Sequence, residues 1–438
     1  MKLDGAKVIV VGMARSGAAA VRFLIDQGAI VRAVDEKPME DISGIRVELQ
    51  PDANLADADL VVISPGVAAD LDVLQTVRLR GIPVIGDLEL AAPYLKGKTI
   101  GITGSNGKTT TTALAGHILQ QAGVECQVGG NIGTPPIAMV ERSSANQWNV
   151  LELSSFQLET IDTFRADIAV CLNVTPDHLD RHHTFKNYAA AKGRLFETQH
   201  AGDYAVLNAD DPTCVAYSKQ TRARTFWFSL EKPVTPGAWL DNGTIRYGGE
   251  ILMPASEIPL RGRHNIENTM AGAIAAHLAG IPLPKIAEAV RTFPGVEHRL
   301  EFVCEIGGVS YYNDSKATNV DATLKAIDAF PGGLWIILGG KDKDSDYTVL
   351  RAPLHDKAKA ALLIGAAAIK IEEQLGDAAP IVQCGTLAAA LDEAHREAEA
   401  GDTVLLAPAC ASFDQFDNYE HRGRVFKDLV HTLAEGAH

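Results

Sequence analysis

Short apolar runs rich in β-branched residues alternate along almost the whole chain with segments whose apolar positions recur every three or four residues. This is the pattern of βαβ units, parallel strands covered by helices, and it predicts an α/β fold throughout. The first stretch reads as strand Lys7–Val11, a Gly-bearing turn, a helix near Ala18–Gln27 and strand Ile30–Asp35, then strands Leu60–Ser64 and Val84–Asp87. A second opens with strand Thr99–Thr103 and carries strands at Trp148–Leu151 and Ile168–Asn173. Its later part, Trp227 to Met253, is richer in β-formers, Gly and Pro and predicts a hairpin-like insertion or subsheet. The third begins with an antiparallel-looking segment, Glu301–Tyr312, where Gly307-Gly308 is a ready hairpin turn. Parallel patterning then returns at Leu334–Leu338, Ala360–Ile364, Ile381–Cys384 and Val404–Ala407. At 438 residues the chain is too long for one ordinary core, and the pattern divides it into three α/β domains at 1–92, 93–298 and 299–438.

Composition changes this picture little: 46% hydrophobic and 22% charged residues describe a globular protein. The formal net charge of −15 is more decisive, because it leaves no excess of Lys and Arg to neutralise a nucleic acid. A small anionic substrate stays possible, since an acidic protein can carry a local basic pocket. Met1-Lys2-Leu3-Asp4-Gly5 lacks the apolar stretch of an export signal, and no apolar run approaches a membrane span. A cytoplasmic monomer without membrane insertion is expected. The six cysteines form no CxxC pair, so reduced thiols are expected rather than a zinc ribbon or a disulfide framework.

The strongest chemical signal is Gly101-Ile102-Thr103-Gly104-Ser105-Asn106-Gly107-Lys108-Thr109-Thr110, a strand feeding a Gly-rich turn and a helix that begins at Thr109. Such a turn points successive N–H groups at phosphate oxygens, the lysine adds charge, and the Thr109 hydroxyl suits Mg²⁺. Ile102 occupies the place of the first Gly in GxxxxGK[ST], so only the shorter GxxGKT core is present. The competing reading is a tight turn with an exposed lysine; nucleoside triphosphate binding is the stronger one.

Gly12-Met13-Ala14-Arg15-Ser16-Gly17, with Asp35 closing the next strand, resembles a dinucleotide fingerprint. Ala14 replaces its middle Gly, which leaves NAD binding and a structural turn evenly balanced. Ser64-Pro65-Gly66-Val67 ends another strand at the same sheet edge, and a nucleotide diphosphate other than NAD fits the site as well.

Glu152 ends an apolar strand where a phosphate loop wants a Mg²⁺ ligand, and it reads equally as a helix-start carboxylate. Asn173-Val174-Thr175-Pro176-Asp177-His178-Leu179-Asp180-Arg181-His182-His183 is dense in ligand-type side chains. Zinc is the obvious rival there, but adjacent His182 and His183 cannot easily face one ion, and a Mg²⁺ and phosphate site using His178 is preferred. Lys192, inside a helix-like run, reads on composition as a solvated lysine. Three polar loops follow strands in the last domain: Asn313–Asn319, Gly339–Asp344 and Pro408–Phe416. Loops at the carboxyl ends of parallel strands converge on one cleft, so their repetition is the signal.

Together, Thr103–Thr110 (TGSNGKTT), Glu152–Glu159 (ELSSFQLE), Asn173–Arg181 (NVTPDHLDR), Asn313–Asn319 (NDSKATN) and Pro408–Phe416 (PACASFDQF) make the whole chain resemble the Mur ligase family. The last two motifs match its D-glutamate-adding branch, and no DNPR-like segment of the diaminopimelate- or lysine-adding branch is present. The resemblance implies an N-terminal Rossmann-like domain that binds a UDP substrate, a central P-loop ATPase-type domain, and a C-terminal Rossmann-like domain. It implies an ADP-forming ligase that joins D-glutamate to UDP-N-acetylmuramoyl-L-alanine through an acyl phosphate, with ATP and Mg²⁺.

Carried over by residue, it places Gly104, Ser105, Asn106, Gly107, Lys108, Thr109 and Thr110 on the ATP phosphates, with Asn265, Asn268, Arg299 and Asp314 around the rest of the nucleotide. Thr109, Glu152, His178 and Lys192 become the metal site, Lys192 as a carbamate, which replaces the solvated-lysine reading. Lys108, Glu152, His178 and Lys192 are the implied catalytic groups. Arg15, Ser16, Asp35, Glu36 and Lys37 would meet uridine, and Ser64, Gly66, Asn131 and His178 the diphosphate and sugar. Lys316, Thr318, Lys343, Ser412 and Tyr419 would form the D-glutamate pocket; Tyr419 stands where the family has Phe, and Lys343 is preferred to Lys341 as the second cation. Outside this reading, a ligase for another amino acid, a folylpolyglutamate-type ligase, a nucleotide-dependent switch and an NAD oxidoreductase are the alternatives.

Overall fold

The computed structural model describes residues 2–50, 54–342 and 344–436. The chain forms two compact units, one running to Ile258 and including Ile266–Phe293, the other made of Pro259–Asn265 and the chain from Pro294 onward. The first unit holds two of the three sheets.

Its N-terminal sheet is wholly parallel, in the spatial order Val47–Leu49, Ile30–Asp35, Lys7–Val11, Leu60–Ile63, Val84–Gly86. The chain leaves Lys7–Val11 in one direction and returns to pair Leu60–Ile63 on its other side, with Val10 opposite Val62. That reversal opens a crevice at the carboxyl ends of these two strands, where open α/β sheets bind ligands. The two central strands are almost continuous apolar runs, as fits a sheet covered on both faces, and Val8, Val10, Val61 and Val62 are almost fully buried. Several expected boundaries move, two of them for a reason the structure gives. The first helix begins at Arg15, directly after the Gly-rich turn. The last strand stops at Gly86, because Asp87 starts a short helix, Asp87–Ala91.

The central sheet has nine strands, and Lys98–Thr103 lies between Ile168–Cys171 and Trp148–Glu152. Its body is parallel. The β-rich stretch near 227–253 joins this sheet rather than forming one of its own: Gly237–Asp241 pairs parallel with Arg224–Ser229, and Thr244–Tyr247 and Glu250–Pro254 extend the edge antiparallel. Leu151, Leu153, Ala169, Leu195 and Phe196 pack between the sheet and helix Phe185–Glu197, each large side chain adding about 2 kcal/mol by leaving water.

The second unit's sheet runs Glu301–Ile306, Val309–Asn313, Thr403–Leu406, Leu334–Gly339, Ala358–Ile364, Ile381–Gly385. Only the first pair is antiparallel. Gly307 and Gly308 make its turn with φ of 58° and 82°, left-handed values that glycine alone takes freely. Among the described residues no helix is long and apolar enough to cross a membrane, and the six cysteines are free thiols.

Candidate active site

Strand Lys98–Thr103 delivers the phosphate loop, and helix Lys108–Gln121 carries it away, one residue earlier than expected. The helix has no capping side chain at its start. Gly107, at φ 83°, turns the chain into it instead, and a helix start of this kind favours an anion. A Cβ on Gly107 would stand 2.2 Å from Asn268 Oδ1, so a side chain there would force Asn268 to move. Strand Ile168–Cys171 and the loop after it supply the brace: Asn173 Oδ1 accepts from Asn106 N at 2.8 Å, and Asn173 O from Ser105 N at 2.9 Å. Ser105 Oγ donates to Thr175 O and meets the Tyr188 hydroxyl, each at 2.9 Å. Lys108 Nζ donates to Gly104 O and Ser105 O, both at 2.9 Å, so the ammonium lies folded over its own loop.

Glu152 ends the neighbouring strand and is buried to 2% exposure. Asn131 Nδ2 donates to its Oε1 at 2.8 Å, whereas its Oε2 has no hydrogen-bond partner. An orphaned carboxylate oxygen beside a phosphate loop fits a divalent cation, which binds through one or two carboxylates plus phosphates and water. Among the described residues no three His, Cys, Asp or Glu side chains gather as a metal cluster.

Lys192 is not solvated. It lies one turn after Tyr188 on the inward face of helix Phe185–Glu197, 1% exposed, and its Nζ donates to Gly104 O at 2.9 Å and sits 4.6 Å from the Tyr188 ring centroid. Burial, helped by the charge of Lys108, pulls its pKa down to about 7. Much of it is therefore a neutral, nucleophilic amine near neutral pH.

The three histidines diverge. His178 has a left-handed backbone (φ 50°) and sets its exposed ring edge-on to Phe156 at 4.9 Å. His182 is buried against Ser155 Oγ at 2.9 Å, and His183 pairs with Asp70 at 2.9 Å on the surface. No zinc triad exists among them.

At the crevice of the N-terminal sheet lies a cavity of about 530 Å³. Arg15, Ser16, Asp35 and Glu36 line it on one side, Ser64, Gly66 and Asn131 on the other; Lys37 is exposed and is not part of its wall. Asp35 braces the Gly-rich turn, its carboxylate accepting from Met13 N at 2.7 Å and Lys37 N at 3.0 Å. Beneath the turn, Asp87 is 1% exposed with neither oxygen hydrogen-bonded, and burial pushes its pKa up to about 6.

In the second unit the three polar strand-end loops do meet. Lys341 N donates to Ala411 O at 2.8 Å, joining the second loop to the third. Arg422, fully buried on helix Tyr419–Gly436, donates to Ser315 O and Oγ in the first loop and to Cys410 O in the third. Lys316 Nζ stands 5.7 Å from the Tyr419 ring centroid, Thr318 N donates to Lys316 O, and Ser412 is buried. Asp314 is buried, which pushes its pKa up to about 6 against the pull of Arg299, whose Nε has no partner. Asn265 Nδ2 donates to Arg261 O at 2.6 Å. Lys343 lies outside the described residues, whereas Lys341 is described and exposed.

Residues 6–86 match the MurD-like N-terminal domain of Mur ligases, 102–276 the Mur ligase middle domain, and 298–410 the Mur ligase glutamate ligase domain. The UDP-N-acetylmuramoylalanine–D-glutamate ligase of Solibacter usitatus is 62% identical over 438 residues, 99% of either chain. The chain belongs to the Mur ligase family. The enzyme of the same name from Acidobacterium capsulatum is 53% identical, over 98% of this chain and 97% of its own. A Mur ligase fold also appears in the solved UDP-N-acetylmuramate–alanine ligase of Thermotoga maritima, with TM-score 0.61 at 18% identity, over 98% of this chain and 100% of that one. The pseudomurein peptide ligase type C of Methanothermus fervidus is comparable, with TM-score 0.60 at 19% identity, over 98% and 100%.

Within this Mur ligase the sequence missed Tyr188, Asp87 and Arg422. Tyr188 was findable, four residues before Lys192 and hence on its helical face. Arg422 and Asp87 carry no local signal, because charged residues are almost never fully buried.

Proposed function

We infer that this Mur ligase joins D-glutamate to UDP-N-acetylmuramoyl-L-alanine with hydrolysis of ATP to ADP and phosphate, as a cytoplasmic step of peptidoglycan synthesis. Near-full-length identity of 62% and 53% to two ligases so named supports the reaction. The observation that carries it in the fold is the Gly107 loop with its uncapped helix and the orphaned Glu152 oxygen beside it. A carboxylate repels nucleophiles, so amide formation needs its prior activation, here as an acyl phosphate.

The phosphate loop and Lys108 would hold and orient the triphosphate, which is most of what phosphoryl transfer asks of a protein. Glu152, Thr109, His178 and carbamylated Lys192 would hold Mg²⁺, which supplies charge neutralisation on the transferring phosphoryl group. Carbamylation joins the neutral Lys192 amine to CO₂ with loss of one proton, turning a neutral amine into an anion. The cavity at the N-terminal sheet fits the UDP moiety, with Arg15 in its wall to meet an anionic ligand. Lys316, Thr318, Ser412 and Tyr419 would bind D-glutamate, with Lys343 as the second cation.

The test is a panel of amino acids with UDP-N-acetylmuramoyl-L-alanine, ATP and Mg²⁺. D-Glutamate alone should give a lengthened product with one ADP per amide bond. Release of AMP and pyrophosphate, or preference for another amino acid, would overturn the reading.

A further inference from the structure

Asp87 has no part in the chemistry just described, yet it is the most anomalous carboxylate in the first unit. It is 1% exposed, both oxygens lack hydrogen-bond partners, and no cation faces it. The gap beside it, walled by Ser64, Pro65, Phe156 and Gln157, has no room for a water molecule. Its polar neighbours are the Ser16 hydroxyl, the Gln157 side chain and the N–H groups at the start of its own short helix; each eases its ionisation and none completes a hydrogen bond. Ser16 and Gln157 both also line the 530 Å³ cavity. Gln157 Oε1 is already engaged by Ser154 N and Oγ at 3.2 Å, which leaves its amide N–H groups as the end able to donate elsewhere. A buried carboxylate held just short of two donors in the wall of a ligand cavity costs stability until those donors close on it.

We propose that Asp87 is a positioning residue for the UDP-bearing substrate: when the cavity fills, Ser16 and Gln157 settle onto its carboxylate and lock the Gly-rich turn to the loop that follows Glu152. The proposal rests on the assignment of this cavity to the UDP moiety. It requires opposite signs for binding and stability. Asp87→Asn removes the unpaired charge, so the ligand-free protein should melt at the same or a higher temperature. The same variant should bind UDP-N-acetylmuramoyl-L-alanine at least about tenfold more weakly, with kcat at saturation within about twofold of the parent.

Isothermal titration of the full chain with UDP-N-acetylmuramoyl-L-alanine, paired with thermal melts, decides this. Ser16→Ala provides an independent handle: its loss in affinity should not add to that of Asp87→Asn in the double variant. Unchanged affinity in Asp87→Asn, additive losses, or a lower melting temperature with parallel loss of ATP binding would each overturn the positioning role while leaving the cavity assignment intact. If the parent protein itself fails to bind the UDP substrate, the cavity assignment falls and the inference with it.

Discussion

Replacing Lys192 by Met should abolish turnover and, in the same molecule, raise stability at neutral pH. The unfolded chain titrates this lysine at its ordinary 10.5, the folded one at about 7, chiefly because the amine is buried. Between those values the unfolded state holds a proton that the native state lacks, so the native protein gains stability as pH rises through that window, and the penalty is complete below about pH 7. At pH 7.5 the difference corresponds to a penalty on the order of 4 kcal/mol, and at pH 9.5 to about 1.5 kcal/mol. Methionine fills similar volume and escapes this penalty, but it forfeits the bond to Gly104 O and the contact with the Tyr188 ring, together about 1–2 kcal/mol. Lys192→Met should therefore gain roughly 2 kcal/mol at pH 7.5 and lose that advantage near pH 9.5. Urea melts of both proteins in CO₂-depleted buffer at the two pH values measure it. Added bicarbonate should then stabilise the parent and not the variant, since carbamylation acts on the native state alone. A variant less stable than the parent at pH 7.5, with a difference that ignores pH, would show that the lysine is held as a paired cation and refute the reasoning.

Three further outcomes follow from the same geometry. Lys108→Ala should lower turnover at least about a thousandfold, by removing the cation over the phosphate loop, with UDP-substrate affinity by titration within about twofold. Glu152→Gln keeps the acceptor for Asn131 but removes the charge of the unpartnered oxygen; half-maximal activation should need about tenfold more Mg²⁺, read from a magnesium titration of initial rates, without a fall in melting temperature. Gly107→Ala places a Cβ 2.2 Å from Asn268 Oδ1 at φ 83°, and should cost about 2 kcal/mol in urea melts and raise the KM for ATP more than that for D-glutamate.

What the chain's pattern revealed and what it hid divide along local and non-local lines. The phosphate loop, the Gly307-Gly308 hairpin and the strand-end loops were legible because strand, turn and helix signals lie within a few residues of one another. The fate of Lys192 was not: the carbonyl it meets lies 88 residues away, and only the assembled sheet removes it from water. Its position was nevertheless encoded, since Tyr188, Lys192 and Leu195 share the buried face of one helix. Composition named it a surface residue because it weighed residue type above register. Asp87 misled in the same manner, read as a strand end although it opens the next helix. The hairpins within 227–253 were legible because their turns are local, whereas the parallel pairing of Gly237–Asp241 with Arg224–Ser229 was not.

Several of the costly groups of this protein gather at its candidate ligand sites. Glu152 Oε2, Asp87 and the Lys192 amine in the first unit, and Arg299 Nε and Asp314 in the second, are buried polar atoms left unpaired or titrating away from their ordinary values. An evolved core satisfies such atoms, so their persistence needs a compensating term. Each lies in a segment that the family resemblance or the cavity connects with a ligand: metal, carbamate, uridine diphosphate or the adenine nucleotide. The compensating term is then the ligand itself, which binds the native state alone and stabilises it in proportion to its affinity. On this argument the unsatisfied atoms are places where the protein is incomplete without its substrates. That also explains why removing the Lys192 amine is predicted to strengthen the fold and abolish turnover.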